Sequence, residues 1–327
     1  MRRRPLTALA ATGTALVLSA CGLTSVSEHS AEGGSGPYPL TVENCGADVT
    51  FAAAPERVVL LKSAAVPSLA ALGVLDRVTA RAGEYPRAYY DDATWAALEE
   101  VPALTGKTDT SGHLLVSKEV VIEQEPDLVL GEVDNLSRET LAAAGIPLVE
   151  EPAMCAEGLA EPGFDDVVAQ LETYGRIFDR TEAAAAASAE LEQRVAALTA
   201  APAADRRTAA VLYPTVGGGV TYAYGTRSMA HPILEAAGLD NVFADTDERV
   251  FEVTPEELVG RDPDVLILLH SAGDPEAVVE AVTTLPGAAS IAAVRDGELM
   301  PLLFNYVEPP TPLAVDGLEQ VRGRFGS

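Results

Sequence analysis

An α/β fold of two similar lobes, each built on a parallel sheet, joined by one long helix and enclosing a cleft, is what this sequence predicts. Three observations carry it. First, Glu119 is followed seven positions on by Pro126-Asp127 and the apolar run Leu128-Val129-Leu130, and Glu256 is followed seven positions on by Pro263-Asp264 and the run 265–269. A surface helix, a Pro-Asp break and a buried strand therefore occur twice, 137 residues apart. Second, short apolar runs alternate with helical patterns at the spacing of βαβ units. Third, the segment 164–199 lacks proline and is rich in Ala, Glu and Leu, so it reads as one helix of over thirty residues.

The elements follow in order. Residues 57–61 form a β-branched run suited to a strand buried on both faces. A helix over 67–72 stops at Gly73, and short strands are expected at 78–80 and near 98–104. Ser117 caps a helix over 117–124, and strand 128–131, helix 137–144 and strand 147–149 complete the first lobe. The long helix places Val168, Leu171, Tyr174, Ile177 and Phe178, then Leu191, Val195 and Leu198, on an apolar stripe, and is loosened around Asp179-Arg180-Thr181. It would span about 50 Å at 1.5 Å per residue. Alternation then restarts with strand 209–213, a turn-rich loop 214–219, and helix 228–237 ending at Gly238. Helix 255–260, strand 265–269, helix 275–283, a strand at 299–303 and a closing helix 313–325 finish the second lobe. The expected organisation is a leader at 1–20, a tether at 21–37, lobes at 38–163 and 201–327, and the joining helix at 164–200.

The N-terminus reads as an export signal. Arg2-Arg3-Arg4 precedes a mostly apolar stretch from Leu6 to Leu18, too short to span a bilayer. Leu18-Ser19-Ala20-Cys21 resembles a bacterial lipobox, which implies that Cys21 is lipidated and holds the protein at the outer face of the cell membrane. The Ser-, Gly- and Glu-rich stretch after it suits a flexible tether. That compartment is oxidising, and Cys21 aside, Cys45 and Cys155 remain, an even pair that suggests a disulfide, with two buried thiols as the alternative.

Charge excludes one class of partner. The chain carries a formal charge of −27, about −30 without the three leader arginines, and such a surface repels phosphate backbones. No nucleic-acid partner is expected. His113, His231 and His270 are isolated in sequence, without the spacing of a zinc site, so no bound metal or cofactor is expected either. Enzyme motifs also fail. Gly106-Lys107-Thr108 lacks the upstream glycine of a phosphate loop, Gly217-Gly218-Gly219 lacks dinucleotide spacing, and no Gly-x-Ser-x-Gly elbow occurs.

The layout resembles the class III substrate-binding proteins of ABC importers, which take up ferric siderophores, haem and cobalamin. The marks are Pro55-Glu56-Arg57-Val58-Val59, the segment from Leu69 to Gly73, Glu119 through Asp127, and the segment from Leu234 to Gly238 with Asn241-Val242. The resemblance runs from about Tyr38 to Phe325. It implies a monomeric carrier, not an enzyme, that closes only modestly on its ligand. It also implies that Glu119 and Glu256 dock into arginine pockets of a permease dimer. An iron-siderophore chelate is the expected ligand, with a corrinoid, haem or a deazaflavin-cofactor precursor as alternatives within the class. A surface enzyme or sensor module is the alternative outside it.

Ligands in parallel α/β sheets sit beyond the carboxyl ends of the strands. That rule nominates Lys62, Ser63, Glu84, Tyr85, Glu132 and Asn135 in the first lobe, and Tyr213, His270, Phe304 and Tyr306 in the second. The stretch from Thr221 to Ser228, read as a loop, adds Tyr222, Tyr224 and Arg227, which offer flat faces, hydroxyls and a cation to a chelate or macrocycle.

Overall fold

The computed structural model describes residues 37–108, 114–200 and 206–326. The expected leader, Cys21, most of the tether and His113 lie outside the described residues. Residues 37–326 belong to one compact unit.

The chain enters through an antiparallel hairpin absent from the sequence-based expectation, β1 (Leu40–Asn44) and β2 (Ala47–Phe51). Then come β3 (Val58–Leu60), α1 (Val66–Ala71), β4 (Val78–Arg81), α2 (Asp92–Glu99), α3 (Lys118–Ile122), β5 (Leu128–Leu130), α4 (Arg138–Ala142) and β6 (Leu148–Val149). The sheet order is β4-β3-β5-β6, all parallel. The strand expected near 98–104 is reduced to a single bridge between Arg81 and Ala103, because α2 extends through Glu99.

The joining segment corrects one expectation. Instead of a single helix it forms two, α5 (Phe164–Ile177) and α6 (Thr181–Thr199). Asp179 adopts a left-handed backbone at φ +54°, which ends α5 and reverses the chain. The two helices then lie against each other. A Cβ built on Gly175 would sit 2.4 Å from the Cβ of Ala184, so glycine is what permits this approach. Apolar periodicity continues through Phe178, which is itself fully buried, and so hides the break.

The second lobe comprises β7 (Arg207–Pro214), β8 (Thr221–Tyr224), α7 (Ala230–Ala237), β9 (Leu239–Asn241), β10 (Val250–Val253), α8 (Pro255–Arg261), β11 (Val265–His270), α9 (Pro275–Thr283), α10 (Ala292–Asp296), β12 (Leu299–Leu303) and α11 (Pro312–Phe325). Its sheet runs β10-β8-β7-β11-β12, with β9 pairing the start of β7. Because β8 and β10 are antiparallel, this sheet is mixed, not purely parallel as expected.

Strand alternation sorts the cores. Val58, Leu60, Leu128 and Leu130 of the first sheet and Ala209, Val211, Val265, Ile267 and Leu269 of the second share one cluster with α1, α5, α6, α7 and α11. The opposite faces, Val59 and Val129 in one lobe and Ala210, Leu212, Leu266 and Leu268 in the other, feed separate outer clusters. Each fully buried leucine contributes roughly 1.5–3 kcal/mol. The lobes are thus fastened through a common helical layer, which leaves the strand carboxyl ends facing each other.

Cys45 and Cys155 form a disulfide across 110 residues. Beside it the Asn44 side chain donates to the Glu150 carbonyl at 2.8 Å and accepts from the Glu150 N–H at 2.9 Å. The hairpin therefore clamps the exit of β6. Replacing both cysteines by serine should lower unfolding free energy by about 3 kcal/mol, as closing a long loop restricts the unfolded chain. Urea titration with and without reductant measures it, and an unchanged midpoint would refute it.

Candidate functional site

The sequence repeat has a structural counterpart. In each lobe a hydroxyl caps a short helix: Ser117 Oγ accepts from Val120 N–H, and Thr254 Oγ1 accepts from Glu257 N–H. Each such cap stabilises its helix by about 1 kcal/mol. Glu119 and Glu256 then occupy the same second helical position, both exposed. Further on, Glu125 and Asp262 take left-handed backbones at φ +48° and +44°, and the following Pro-Asp turns the chain into β5 or β11. Asp127 Oδ1 and Oδ2 accept from the N–H groups of Arg57 and Glu56, both at 2.8 Å. Asp264 Oδ2 accepts from the N–H of Thr208 at 2.9 Å and from its hydroxyl at 2.8 Å. The aspartates align paired strands β3–β5 and β7–β11. That is a structural role; among the described residues no such contact is made by the glutamates. Glu257, by contrast, pairs with Arg261 at 3.5 Å.

Between the lobes lies a cavity of about 510 Å³. Lys62, Ser63, Glu84 and Glu132 from the first lobe and Phe304 from the second stand on its wall, as the strand-end rule predicts. Tyr213 sits just behind, its hydroxyl 3.0 Å from Ser271 Oγ and its ring edge-on to Phe304 at 6.0 Å. Ser271 lines the cavity, whereas His270 stays half-buried at the end of β11 off the wall.

Six other nominated residues stand elsewhere or have other duties in the structure. Tyr85 is buried in the core, its hydroxyl donating to the Leu60 carbonyl at 3.3 Å. Asn135 Nδ2 donates to the Val116 carbonyl at 2.7 Å and braces its own loop. Tyr224 is a core residue of β8, since Thr221–Tyr224 is a strand, not the loop expected. Tyr222 points from the same strand into solvent at 36 % exposure. Arg227 donates to the carbonyls of Glu157 at 2.6 Å and Leu159 at 3.3 Å, so its cation braces the segment after the disulfide. Tyr306 donates to the Ala88 carbonyl and meets Tyr89 edge-on at 5.1 Å, which makes it a contact between lobes.

Three wall residues, Tyr89, Arg249 and Glu151, were not visible from the sequence. Tyr89 accepts from the Asn305 N–H at 2.9 Å, and Asn305 Nδ2 donates to Ser63 Oγ at 3.1 Å, closing the back of the cavity with one group from each lobe. Burial raises the Tyr89 pKa further above its usual value, so it offers a ligand an O–H, not a phenolate. Arg249 stands on the second-lobe wall, held at 3.0 Å by the fully buried Glu308. Opposite, Lys62 pairs with the buried Glu150, whose Oε2 also accepts from the Glu132 N–H at 2.7 Å. Both cations on the wall are thus neutralised from behind.

Glu151 is the chemically unusual member. It is 4 % exposed, Tyr174 donates to its Oε1 at 2.7 Å, and its Oε2 has no partner. Desolvation, reinforced by Glu150, raises its pKa to about 8. The folded protein then holds a proton that the unfolded chain releases above the ordinary carboxyl range. Stability should fall as pH rises from about 4.5 to 8, by an amount on the order of a few kcal/mol. Glu151→Gln should flatten that slope and raise the urea midpoint at pH 8. An equally steep fall in the variant would show that Glu151 is not its source.

Among the described residues no group of three or more His, Cys, Asp or Glu is placed to hold a metal, and no helix is long and apolar enough to cross a membrane.

Comparison with known proteins fits this geometry. A crystal structure from Saccharomonospora viridis DSM 43017, described as an ABC-type Fe3+-hydroxamate transport system, is 56 % identical, covers 89 % of this chain and 100 % of its own, and superposes with a TM-score of 0.85. A cobalamin-binding protein of Halobacterium salinarum is 28 % identical over 88 % of this chain and 74 % of its own length. A periplasmic haem-binding protein of Pseudomonas aeruginosa, 21 % identical, covers 83 % of this chain and 93 % of its own at a TM-score of 0.64 and shares the fold. The sequence pattern of the family described as periplasmic binding protein matches residues 58–303. The chain therefore belongs to the periplasmic binding protein family, whose members are extracytoplasmic solute carriers that deliver small molecules to ABC permeases.

Proposed function

We propose that this chain captures a ferric chelate of the hydroxamate class in the cavity between its lobes and passes it to an ABC permease. In this reading it is held at the outer face of the membrane through a lipidated Cys21, acts as a monomer and catalyses no reaction. The observation that carries the proposal is the two-lobed cavity of about 510 Å³ in a chain 56 % identical to the Saccharomonospora protein. A volume of that order suits a compact chelate. The wall supplies Ser63, Tyr89, Ser271 and Asn305 as hydrogen-bonding groups and Phe304 as an apolar face. No cluster of protein ligands is needed if the iron arrives already coordinated. Glu119 and Glu256, on matching helices of the two lobes, would then meet cationic pockets on the permease.

A corrinoid is the second reading, favoured by the Halobacterium relative. Titrating the purified protein with a ferric tris-hydroxamate, cobalamin and haem, and following Trp95 fluorescence, separates them. Trp95 stacks on Tyr90, whose ring meets that of the wall residue Tyr89 at 5.9 Å. Micromolar or tighter binding of the tris-hydroxamate is expected. Tight cobalamin binding with no response to the chelate would move the assignment to a corrinoid. Binding of none of the three, with measurable turnover of another compound, would end the transport reading.

A further inference from the structure

We infer that the cavity selects a cationic chelate, one carrying a free ammonium group beside its iron centre, over neutral and anionic chelates. This rests on the proposed ferric-hydroxamate reading and specifies its ligand class.

The argument is one of charge placement. Lys62, Arg249, Glu84 and Glu132 stand charged on the wall, beside Glu151, which holds a proton, and Asp134, which is engaged with a partner of its own. Cations and open carboxylates are equal in number on the wall, but the cations are already balanced from behind. Lys62 is matched by Glu150 and Arg249 by Glu308, and both of those carboxylates lie buried behind the wall, at 1 % and 0 % exposure. Each cation's charge is thus balanced by a carboxylate behind the wall, so neither adds net positive charge to the cavity. Glu84 is exposed, and Glu132, whose Oε1 accepts from the Arg138 N–H at 3.2 Å, meets no cation. A haem propionate or a carboxylate-bearing chelate entering here would face uncompensated like charge at short range, which is costly in a cavity partly emptied of water.

Glu151 supplies the second, independent observation. Its Oε2 is buried on the cavity wall without a hydrogen-bond partner. Buried polar atoms are almost always satisfied, so an orphaned carboxyl oxygen in a ligand cavity marks where a ligand donor belongs. The nearby cation, Lys62, is held by Glu150 and makes no hydrogen bond to that oxygen. An ammonium on the ligand would provide the missing donor and, by drawing off the proton that Glu151 otherwise holds, a counter-charge for the carboxylate left behind.

The test uses one ferric tris-hydroxamate scaffold in three forms, with its terminal amine free, N-acetylated and N-succinylated. Calorimetric titration of the purified protein at low salt should rank them in that order. Acetylation should weaken binding by about tenfold or more, given the strength of charge pairs in partly desolvated sites. In Glu84→Gln/Glu132→Gln, where amides keep the size and the acceptor to Arg138, the ratio between free-amine and acetyl forms should shrink towards one. Equal affinities for all three forms, or tightest binding of the succinyl form, would overturn the charge inference while leaving the ferric-hydroxamate reading intact. If none of the three binds and cobalamin does, that underlying reading fails too.

Discussion

Cells relying on a Glu119→Lys/Glu256→Lys variant should lose ligand uptake, while the purified variant keeps the parent's ligand affinity and urea midpoint. Both carboxylates are exposed, both follow a hydroxyl cap by two positions, and neither lies on the cavity wall. Lysine is a good helix former, so the fold should register the change by only a few tenths of a kcal/mol. A partner arginine would feel it far more. On the proposed docking, each reversal would replace a charge-assisted pair with a like-charge contact, a swing of several kcal/mol per site, and two sites together would take transfer below detection. Glu257→Lys is the control. Glu257 is already engaged by Arg261 within α8, so its reversal should lower uptake modestly at most. Normal uptake by the double variant would dismiss the docking role, and lost ligand affinity would assign these residues to the binding site instead.

The pair of glutamates was legible in the sequence because its markers are local. A hydroxyl cap, a carboxylate two positions on and a Pro-Asp break all act within eleven residues, and each has one physical job. The strand-end residues Lys62, Ser63, Glu84, Glu132 and Phe304 were legible for a related reason: apolar runs locate strands, and strands locate their carboxyl ends. Two kinds of feature were not. The turn at Asp179 depends on a single backbone conformation inside a stretch whose apolar periodicity never lapses. Thr221-Tyr-Ala-Tyr resembles a loop for its tyrosines, though its alternation and β-branched start are what a strand requires. The wall residues Tyr89, Arg249 and Glu151 belong to no local pattern at all. They are brought to the cavity by a 3-10 turn, by the residue before β10 and by the segment after β6, which the disulfide and Asn44 hold in place.

Glu308→Ala should have the largest effect on the folded state, a loss of about 3–5 kcal/mol, because it strips a buried acceptor from three donors at once. Glu308 is 0 % exposed. Its Oε1 accepts from Ser228 Oγ at 2.6 Å and from the Met229 N–H at 2.9 Å, and its Oε2 pairs with Arg249 at 3.0 Å. Burial raises its pKa, opposed by Arg249 and these hydrogen bonds. Glu308→Gln keeps the acceptor towards Ser228 and Met229 and removes only the charge, so it should lose less, about 1–3 kcal/mol. Urea unfolding at neutral pH measures both, with the slope of each transition checking that folding stays two-state. The glutamine variant also reports on the cavity. With its buried partner neutral, Arg249 presents an uncompensated cation to the wall, and the preference for a free-amine chelate over its acetylated form should diminish. If Glu308→Ala unfolds no more easily than the parent, Glu308 is not the anchor that its three contacts describe. If Glu308→Gln leaves the preference between the two chelates untouched, neutralisation of Arg249 from behind does not set the sign of the cavity.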